Sequence, residues 1–299
     1  MAFQNSYVDA TSLGIHPPSY RLPDSSHVGI VTLAVSSLEK SVAFYRDVIG
    51  LAVLRQDGPD AELGVGGKVF LRLKQLEGVQ PIGRRTRLGL YHTAFLLPSR
   101  AALGSFIQHL QRIGEYFGAG DHIYSEALYL VDPDGLSVEV YADRPREQWK
   151  TRGHELLSAT EAVNLGSVVA DSAGEWKGAP EGTKVGHVHL YIGDLETAAR
   201  FYHEGLGYTV MTWTYPGVLF ISAGGYHHHI GINVWAAGSQ PASEQDARLL
   251  SWELVVPDAE EIAKLQKNME QRGWETTTLE NGSLKAVDPW GIPVHVVLG

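Results

Sequence analysis

After residue 26 the chain shows a recurring order: a short β-branched run, a stretch with helical spacing, then three more short alternating runs. Residues 28–35, Val-Gly-Ile-Val-Thr-Leu-Ala-Val, predict a strand. Ser36-Ser37 stands where a helix N-cap belongs. Leu38, Val42, Phe44, Tyr45 and Val48 then return at helical spacing, and Gly50 supplies a stop. Residues 52–56, 61–65 and 69–74 predict three further strands, so this first unit reads βαβββ. The order restarts at Tyr91, with a strand over 92–97, a helix over 100–112 stopped by Gly114, and hairpin-like segments ending in 137–141. A third unit starts at Val185 and a fourth at Leu250.

Pairs of units form a larger repeat, offset by about 157 residues. Val35-Ser36-Ser37-Leu38 followed by Phe44-Tyr45 matches Ile192-Gly193-Asp194-Leu195 followed by Phe201-Tyr202. His92 through Ser99 matches Ser251 through Asp258, and Asp132-Pro133-Asp134-Gly135 through Glu139 matches Asp288-Pro289-Trp290-Gly291 through His295. The copies keep the framework and change polar residues able to hold a metal. This predicts a loose polar arm over 1–26, a first domain over 27–142, a linker over 143–183 that includes Ser-Ala-Gly-Glu-Trp-Lys-Gly-Ala-Pro-Glu-Gly, and a second domain over 184–299.

Composition narrows the classes. A net charge of −10 argues against nucleic acid and anionic membrane as partners. With no cysteine there is no disulfide framework, thiolate nucleophile or iron–sulfur cluster. No apolar run approaches a membrane span, and the first residues lack a basic segment followed by an apolar one, so the expectation is a cytoplasmic protein, with homo-oligomerisation left open.

The landmarks Leu38…Phe44-Tyr45…Gly50-Leu51, Gly186-His187-Val188-His189-Leu190…Asp194-Leu195…Phe201-Tyr202…Gly205-Leu206-Gly207 and the two Asp-Pro-x-Gly turns resemble the vicinal-oxygen-chelate superfamily of glyoxalases, bleomycin-resistance proteins and extradiol dioxygenases. Leu90-Tyr91-His92, Ser125-Glu126-Ala127-Leu128-Tyr129 and Gly224-Gly225-Tyr226-His227-His228-His229-Ile230-Gly231 are similar to two-domain bacterial catechol 2,3-dioxygenases. The resemblance implies an α+β fold of tandem domains whose four βαβββ units form two curved mixed sheets. It also places metal ligands on the first and last strands of a unit. At those positions units one and four offer Ile30, Ser251 and His295, whereas unit two offers His92 and Glu139, and unit three His187 and the His227–His229 cluster. The ligand set implied is His92, Glu139 and His187, a two-His, one-carboxylate set for Fe(II), with Mn(II) also suited. These three residues meet only if unit two pairs with unit three, leaving a metal-poor pair of units one and four.

The same resemblance implies a Tyr ten residues before the ligand Glu and a His somewhat further upstream, which here are Tyr129 and His122. It also implies an acid/base His on the last strand of the partner unit. Strand alternation puts His227 and His229 on one face, and alignment of Gly225 with Gly135 sets His229 opposite Glu139, so His229 is favoured and His227 is its alternate. His189 shares the face of His187 and is a reserve ligand or supporting group; His27 is expected on the surface, and His295 as an ordinary strand histidine. Trp235, Phe220 and Tyr191 form either an aromatic wall or core packing. The function implied is extradiol cleavage of a small aromatic diol by O2. Its alternatives are a glyoxalase-like metal-dependent lyase, which would call for carboxylates on both sides of the metal, and a metal-free binding or resistance protein.

Overall fold

The computed structural model describes residues 12–299. Unit one supplies β1 (His27–Val35), α1 (Leu38–Ala43), β2 (Ala52–Asp57), β3 (Asp60–Val65) and β4 (Lys68–Gln75). Unit two supplies β5 (Gly89–Leu96), α2 (Arg100–Ile113), β6 (Gly118–Asp121), β7 (Ser125–Val131) and β8 (Ser137–Asp143). The connecting segment, predicted as linker, carries the small ladder β9 (Thr151–Arg152) and β10 (Glu155–Leu156), then α3 (Leu165–Ala170). Unit three supplies β11 (Lys184–Tyr191), α4 (Leu195–Ala198), β12 (Thr209–Thr212), β13 (Val218–Ser222) and β14 (Ile230–Asn233). Unit four supplies β15 (Arg248–Val256), α5 (Ala259–Gln271), β16 (Thr276–Thr278), β17 (Leu284–Val287) and β18 (Pro293–Leu298).

The units pair by exchange. One eight-stranded sheet runs β16-β17-β18-β15-β1-β4-β3-β2, combining units four and one, and the other runs β12-β13-β14-β11-β5-β8-β7-β6, combining units three and two. In each, the two first strands meet antiparallel at the centre, β1 with β15 and β11 with β5. Each first strand also pairs in parallel with the last strand of its own unit, giving two curved mixed sheets in an α+β fold. The central strands are buried on both faces, which is why β11 reads as a nearly continuous run of buried positions rather than a clean alternation.

The helices follow their local signals. Ser99 caps α2 by accepting the Ala102 N–H, and Gly114 ends it at φ 71°. The helix predicted through Val48 changes pitch at Phe44: α1 ends at Ala43 and a π-helical turn carries on over Phe44–Val48. Unit three repeats this, with α4 followed by a π-helical turn over Ala199–Gly205. The turns direct Tyr45 and Tyr202 into the core, where Tyr45 Oη donates to Asp132 Oδ2 at 3.1 Å and Tyr202 Oη to Asp288 Oδ2 at 2.9 Å. Each aspartate uses its other oxygen to accept backbone N–H groups of its own turn, Asp134 and Leu136 for Asp132, and Trp290 and Ile292 for Asp288. The repeated Tyr and Asp-Pro-x-Gly landmarks are thus framework bonds joining one sheet to the other.

The loose arm expected before residue 27 falls partly on residues 1–11, outside the described residues. The described part is docked: Ile15 bridges to Val210, the Leu22 N–H donates to the Gly207 carbonyl, and both side chains are buried. These apolar anchors outweigh the polar, Pro-containing composition that predicts a free segment. Among the described residues no helix is long and apolar enough to cross a membrane.

Candidate metal centre and its cavity

The order β11-β5-β8 sets three polar side chains around a small one. Ala94 on β5 pairs with His187 on β11 and with Glu139 on β8, and His92 lies two residues before Ala94, on the same face. The Ala94 methyl leaves room for its neighbours to converge. His92 Nε2 and Glu139 Oε2 are 3.0 Å apart, His187 Nε2 and Glu139 Oε2 3.3 Å, and the two Nε2 atoms 3.2 Å. The residues are 3 %, 2 % and 1 % exposed in the order His92, Glu139, His187, so little of their polar surface meets solvent.

This cluster fits a metal. Two imidazole nitrogens and a carboxylate oxygen packed this closely place lone pairs against one another, and burying them without a cation or proton between is unfavourable. Three ligands at adjacent corners of an octahedron, with bonds of about 2.1 Å, lie about 3 Å apart, close to the spacing seen. The Nε2 atoms converge, so ligation through them would put the ring protons on Nδ1, and both Nδ1 atoms are buried without a hydrogen-bond partner in the structure. Burial pushes His187 down to about 4, despite the opposing pull of Glu139, which leaves the neutral ring a metal needs. Burial alone would raise Glu139, but the imidazoles of His187 and His92 outweigh it and hold the carboxyl well below its ordinary range. Among the described residues this is the one group of three potential ligands that converge.

The other sheet shows what replaces a metal. There Ser251 pairs with Thr32 as His92 pairs with His189, and Glu253 pairs with His295 as Ala94 pairs with Glu139. Glu253 fills the space that Ala94 opens. Its Oε2 accepts the Ile30 N–H at 3.1 Å, and its Oε1 accepts from Arg72 Nη1 at 3.3 Å, while Arg72 Nε donates to Glu62 at 3.0 Å. Arg72 aligns with Gly231, where any Cβ would meet the His189 ring at 2.7 Å. One half therefore keeps a glycine that admits a histidine, and the other carries a cation of its own.

The three ligands open onto a cavity of about 610 Å³. His122 and Tyr129 lie on one wall and His228, Phe220 and Trp235 on another. Tyr129 pairs with Glu139 across β7 and β8. His122 Nδ1 donates to the Ala159 carbonyl at 2.8 Å, which leaves Nε2 to accept the Tyr129 hydroxyl at 2.5 Å. Burial, reinforced by the charge of Glu139, raises Tyr129 well above its ordinary value and keeps it a proton donor.

A family model for the glyoxalase/bleomycin resistance protein/dioxygenase superfamily matches residues 27–140 and 184–295. The chain belongs to this superfamily. A catechol-2,3-dioxygenase of Bacillus subtilis (strain 168) is 40% identical to it over 272 residues, covering 89% of this chain and 95% of the relative. That likeness supports a dioxygenase enzyme. Among solved structures, a Bacillus subtilis subsp. subtilis str. 168 protein proposed to be a dioxygenase matches with a TM-score of 0.64 at 13% identity, covering 93% of this chain and 86% of the other. Glyoxalase I from Zea mays matches with a TM-score of 0.56 at 17% identity, over 91% and 92%. At such identities these two structures show the shared fold alone.

Within this superfamily fold the three-histidine run differs from its sequence-based reading. His228 lines the cavity, its ring centroid 4.1 Å from that of His187, whereas His229 and His227 lie outside the lining. The alternation argument fails because residues 223–229 form a turn ahead of β14, with Gly224 at φ 60° and Gly225 at φ 64°. Gly224 is required there, since a Cβ would come within 2.3 Å of the Asp24 carbonyl oxygen. His229 Nδ1 instead accepts the Ala223 N–H at 3.2 Å. His227 stacks on Tyr124 at 4.3 Å, and its Nε2 donates to Asp143 Oδ1 at 2.8 Å. Its Nδ1 thus accepts from His228 Nδ1, also at 2.8 Å, so the lone pair of a neutral His228 lies on Nε2.

His189 faces the cavity beside His92 without joining the converging ligands, and its Nε2 accepts from Asn233 Nδ2 at 3.0 Å. Of the two readings left open for the aromatic residues, Phe220 and Trp235 line the cavity, while Tyr191 packs behind Tyr91. Tyr91, whose ring lies 4.5 Å from that of His92, escaped the sequence reading; its place next to His92 in a strand gave no sign that both would reach the cavity.

Proposed function

We propose that the chain is an extradiol ring-cleaving dioxygenase that opens a catechol-type diol with O2, using Fe(II), or alternatively Mn(II), held by His92, His187 and Glu139. The observation that carries this reading is the convergence of two imidazoles and one carboxylate at the floor of an aromatic-lined cavity. A metal held by such a donor set would supply the activation of a diol and O2 toward one another.

The other residues handle protons and position. His228 Nε2 is the base that takes a proton from a diol hydroxyl, and His227 with Asp143 fixes its tautomer and angle. Tyr129 holds a substrate oxygen by hydrogen bonding and is itself aimed by His122. Phe220, Trp235 and Tyr91 flank the ring and limit water. A glyoxalase-like lyase would use carboxylates on both sides of the metal; here Glu139 is the one carboxylate among the converging ligands. A metal-free binding protein would leave the buried triad without a counter-charge.

Protein purified without oxygen and analysed for metal should hold about one Fe(II) or Mn(II) per chain, in a ratio that falls when any of the three ligands is removed. Protein that binds neither ion tightly would refute the reading.

A further inference from the structure

The hairpin that joins β6 to β7 has a two-residue tip. Asp121 pairs with Glu126, and the His122 N–H donates to the Ser125 carbonyl at 2.9 Å, which leaves Ile123 and Tyr124 at the end. Ile123 sits at φ 75°; among the described residues only Ile123 and Arg85 have a positive φ without being glycine. Tight hairpin turns place a positive φ at that position, and glycine, asparagine or aspartate ordinarily supplies it. For a β-branched residue the same φ is a strain that the surroundings must hold in place.

One ion pair does the holding. Asp121 Oδ1 accepts the Ile123 N–H at 2.9 Å, and Arg144 Nη1 donates to the Ile123 carbonyl at 3.2 Å. The two side chains are themselves joined in parallel, Nη1 to Oδ1 and Nη2 to Oδ2, both at 2.7 Å. Both polar backbone groups of the strained residue are therefore bound by a single fork. Arg144 Nη2 also lies 3.3 Å from Glu126, a buried carboxylate that Arg100 binds as well. The Arg144 backbone is fixed too: its N–H donates to the Tyr124 carbonyl at 2.8 Å, and its carbonyl accepts from Trp149 Nε1 at 2.9 Å.

Asp121, Ile123 and Arg144 lie outside the cavity lining, whereas His122 and Tyr129 belong to it. What the strained turn delivers to the cavity is His122, donating from Nδ1 to the Ala159 carbonyl and accepting the Tyr129 hydroxyl on Nε2. We propose that Arg144 is a positioning residue for the His122–Tyr129 pair: joined to Asp121, it holds Ile123 left-handed and so aims His122 at the Tyr129 hydroxyl. Asp143, one residue earlier, holds His227 against His228, so the end of β8 aligns the proton-handling groups on two walls of the cavity. The proposal rests on the dioxygenase reading for what the pair does; the aim of His122 is a property of the turn.

Two readouts test it. In the first, the full chain, labelled with ¹⁵N in its histidines and carrying diamagnetic Zn(II), is followed by NMR without substrate, with His122 assigned from the His122→Gln spectrum. Wild type should hold the His122 proton on Nδ1, and Arg144→Gln should spread it over both ring nitrogens. Adding Ile123→Asn to Arg144→Gln should restore it, because asparagine takes a positive φ unaided. Arg144→Lys keeps the charge beside Asp121 and Glu126 and loses the fork, so it should show the same disturbance in smaller measure even where Arg144→Gln does not fold. A His122 signal unchanged in both Arg144 variants, or a disturbance that Ile123→Asn fails to correct, would overturn the proposal.

The second readout is kcat for ring cleavage by protein loaded anaerobically with Fe(II). Arg144→Gln should bind metal as wild type does and lower kcat by roughly tenfold. The same substitution made in Tyr129→Phe should lower it no further. An equal loss in the two backgrounds would make Arg144 a purely structural residue and overturn the proposal. A disturbed His122 signal in a protein that cleaves no catechol would keep the positioning role and remove the dioxygenase; catechol cleavage with His122 unmoved would do the reverse.

Discussion

His92 and His187 face each other, Nε2 to Nε2, at 3.2 Å across 95 residues of sequence. They belong to different repeats, and only the exchanged pairing of units two and three brings β5 against β11. The same exchange leaves units one and four to make a sheet in which Glu253 and Arg72 take up the corresponding space.

Metal retention should follow that division. His187→Ala should abolish metal binding, because two remaining ligands hold a divalent ion poorly. His295→Ala should leave metal content near wild type, since His295 lies in the other sheet, beside Glu253. Equal losses in the two variants, read by metal analysis of protein purified anaerobically, would show that the centre lies elsewhere.

Tyr129→Phe should keep the metal and lower kcat for ring cleavage. An acid–base group contributes on the order of 10²–10⁴-fold, and a Tyr that orients and donates belongs at or below the lower end. Steady-state kinetics on metal-loaded variant would show unchanged kcat and KM if Tyr129 only packs against Glu139.

The three histidines should separate. His228→Gln should lower kcat by roughly 10²-fold or more while the protein stays folded. His229→Gln should leave kcat close to wild type and show its effect in the thermal midpoint, because the ring accepts a backbone N–H within the turn. A larger kinetic defect in the His229 variant would return the base role to His229.

A framework bond gives a pH signature. Burial raises Asp132 to about 7 and Asp288 to about 6. A carboxyl whose folded pKa lies above its unfolded value, about 3.9, holds a proton in the native state that the unfolded chain has released. Its contribution is therefore present below the unfolded pKa and is lost as pH rises, from about 4 to about 7 for Asp132. Asp132→Asn removes this dependence. The stability of the Asn variant relative to wild type, from urea midpoints, should grow between pH 5 and pH 8. A difference that stays constant across that range would mean Asp132 titrates normally.

The repeat and the unit order are legible in the sequence, because framework residues such as Tyr45, Tyr202, Asp132 and Asp288 recur while His92 and Glu139 do not, and the exchanged pairing follows from the ligand set that the family resemblance implies. Tyr129 and His122 are reached through the spacing to Glu139 that the family resemblance implies, and Tyr129 meets Glu139 because β7 and β8 form a regular hairpin. That His228 lines the cavity in place of His229 is not legible in the sequence, because period-two alternation applies to strands, and two left-handed glycines make that segment a turn. The docking of Ile15 and Leu22 depends on surface offered by unit three, and no local pattern announces it.

The central claim is that the triad supports insertion of O2 into a diol ring. Protein loaded anaerobically with Fe(II) is mixed with a catechol under ¹⁸O2, and the product is examined by visible absorbance and mass spectrometry. The account predicts a visible-absorbing, ring-opened product containing both labelled oxygen atoms, formed by wild type and not by His187→Ala. Fully metal-loaded wild-type protein that consumes no O2 with the catechols tested, or a product without label, would contradict it.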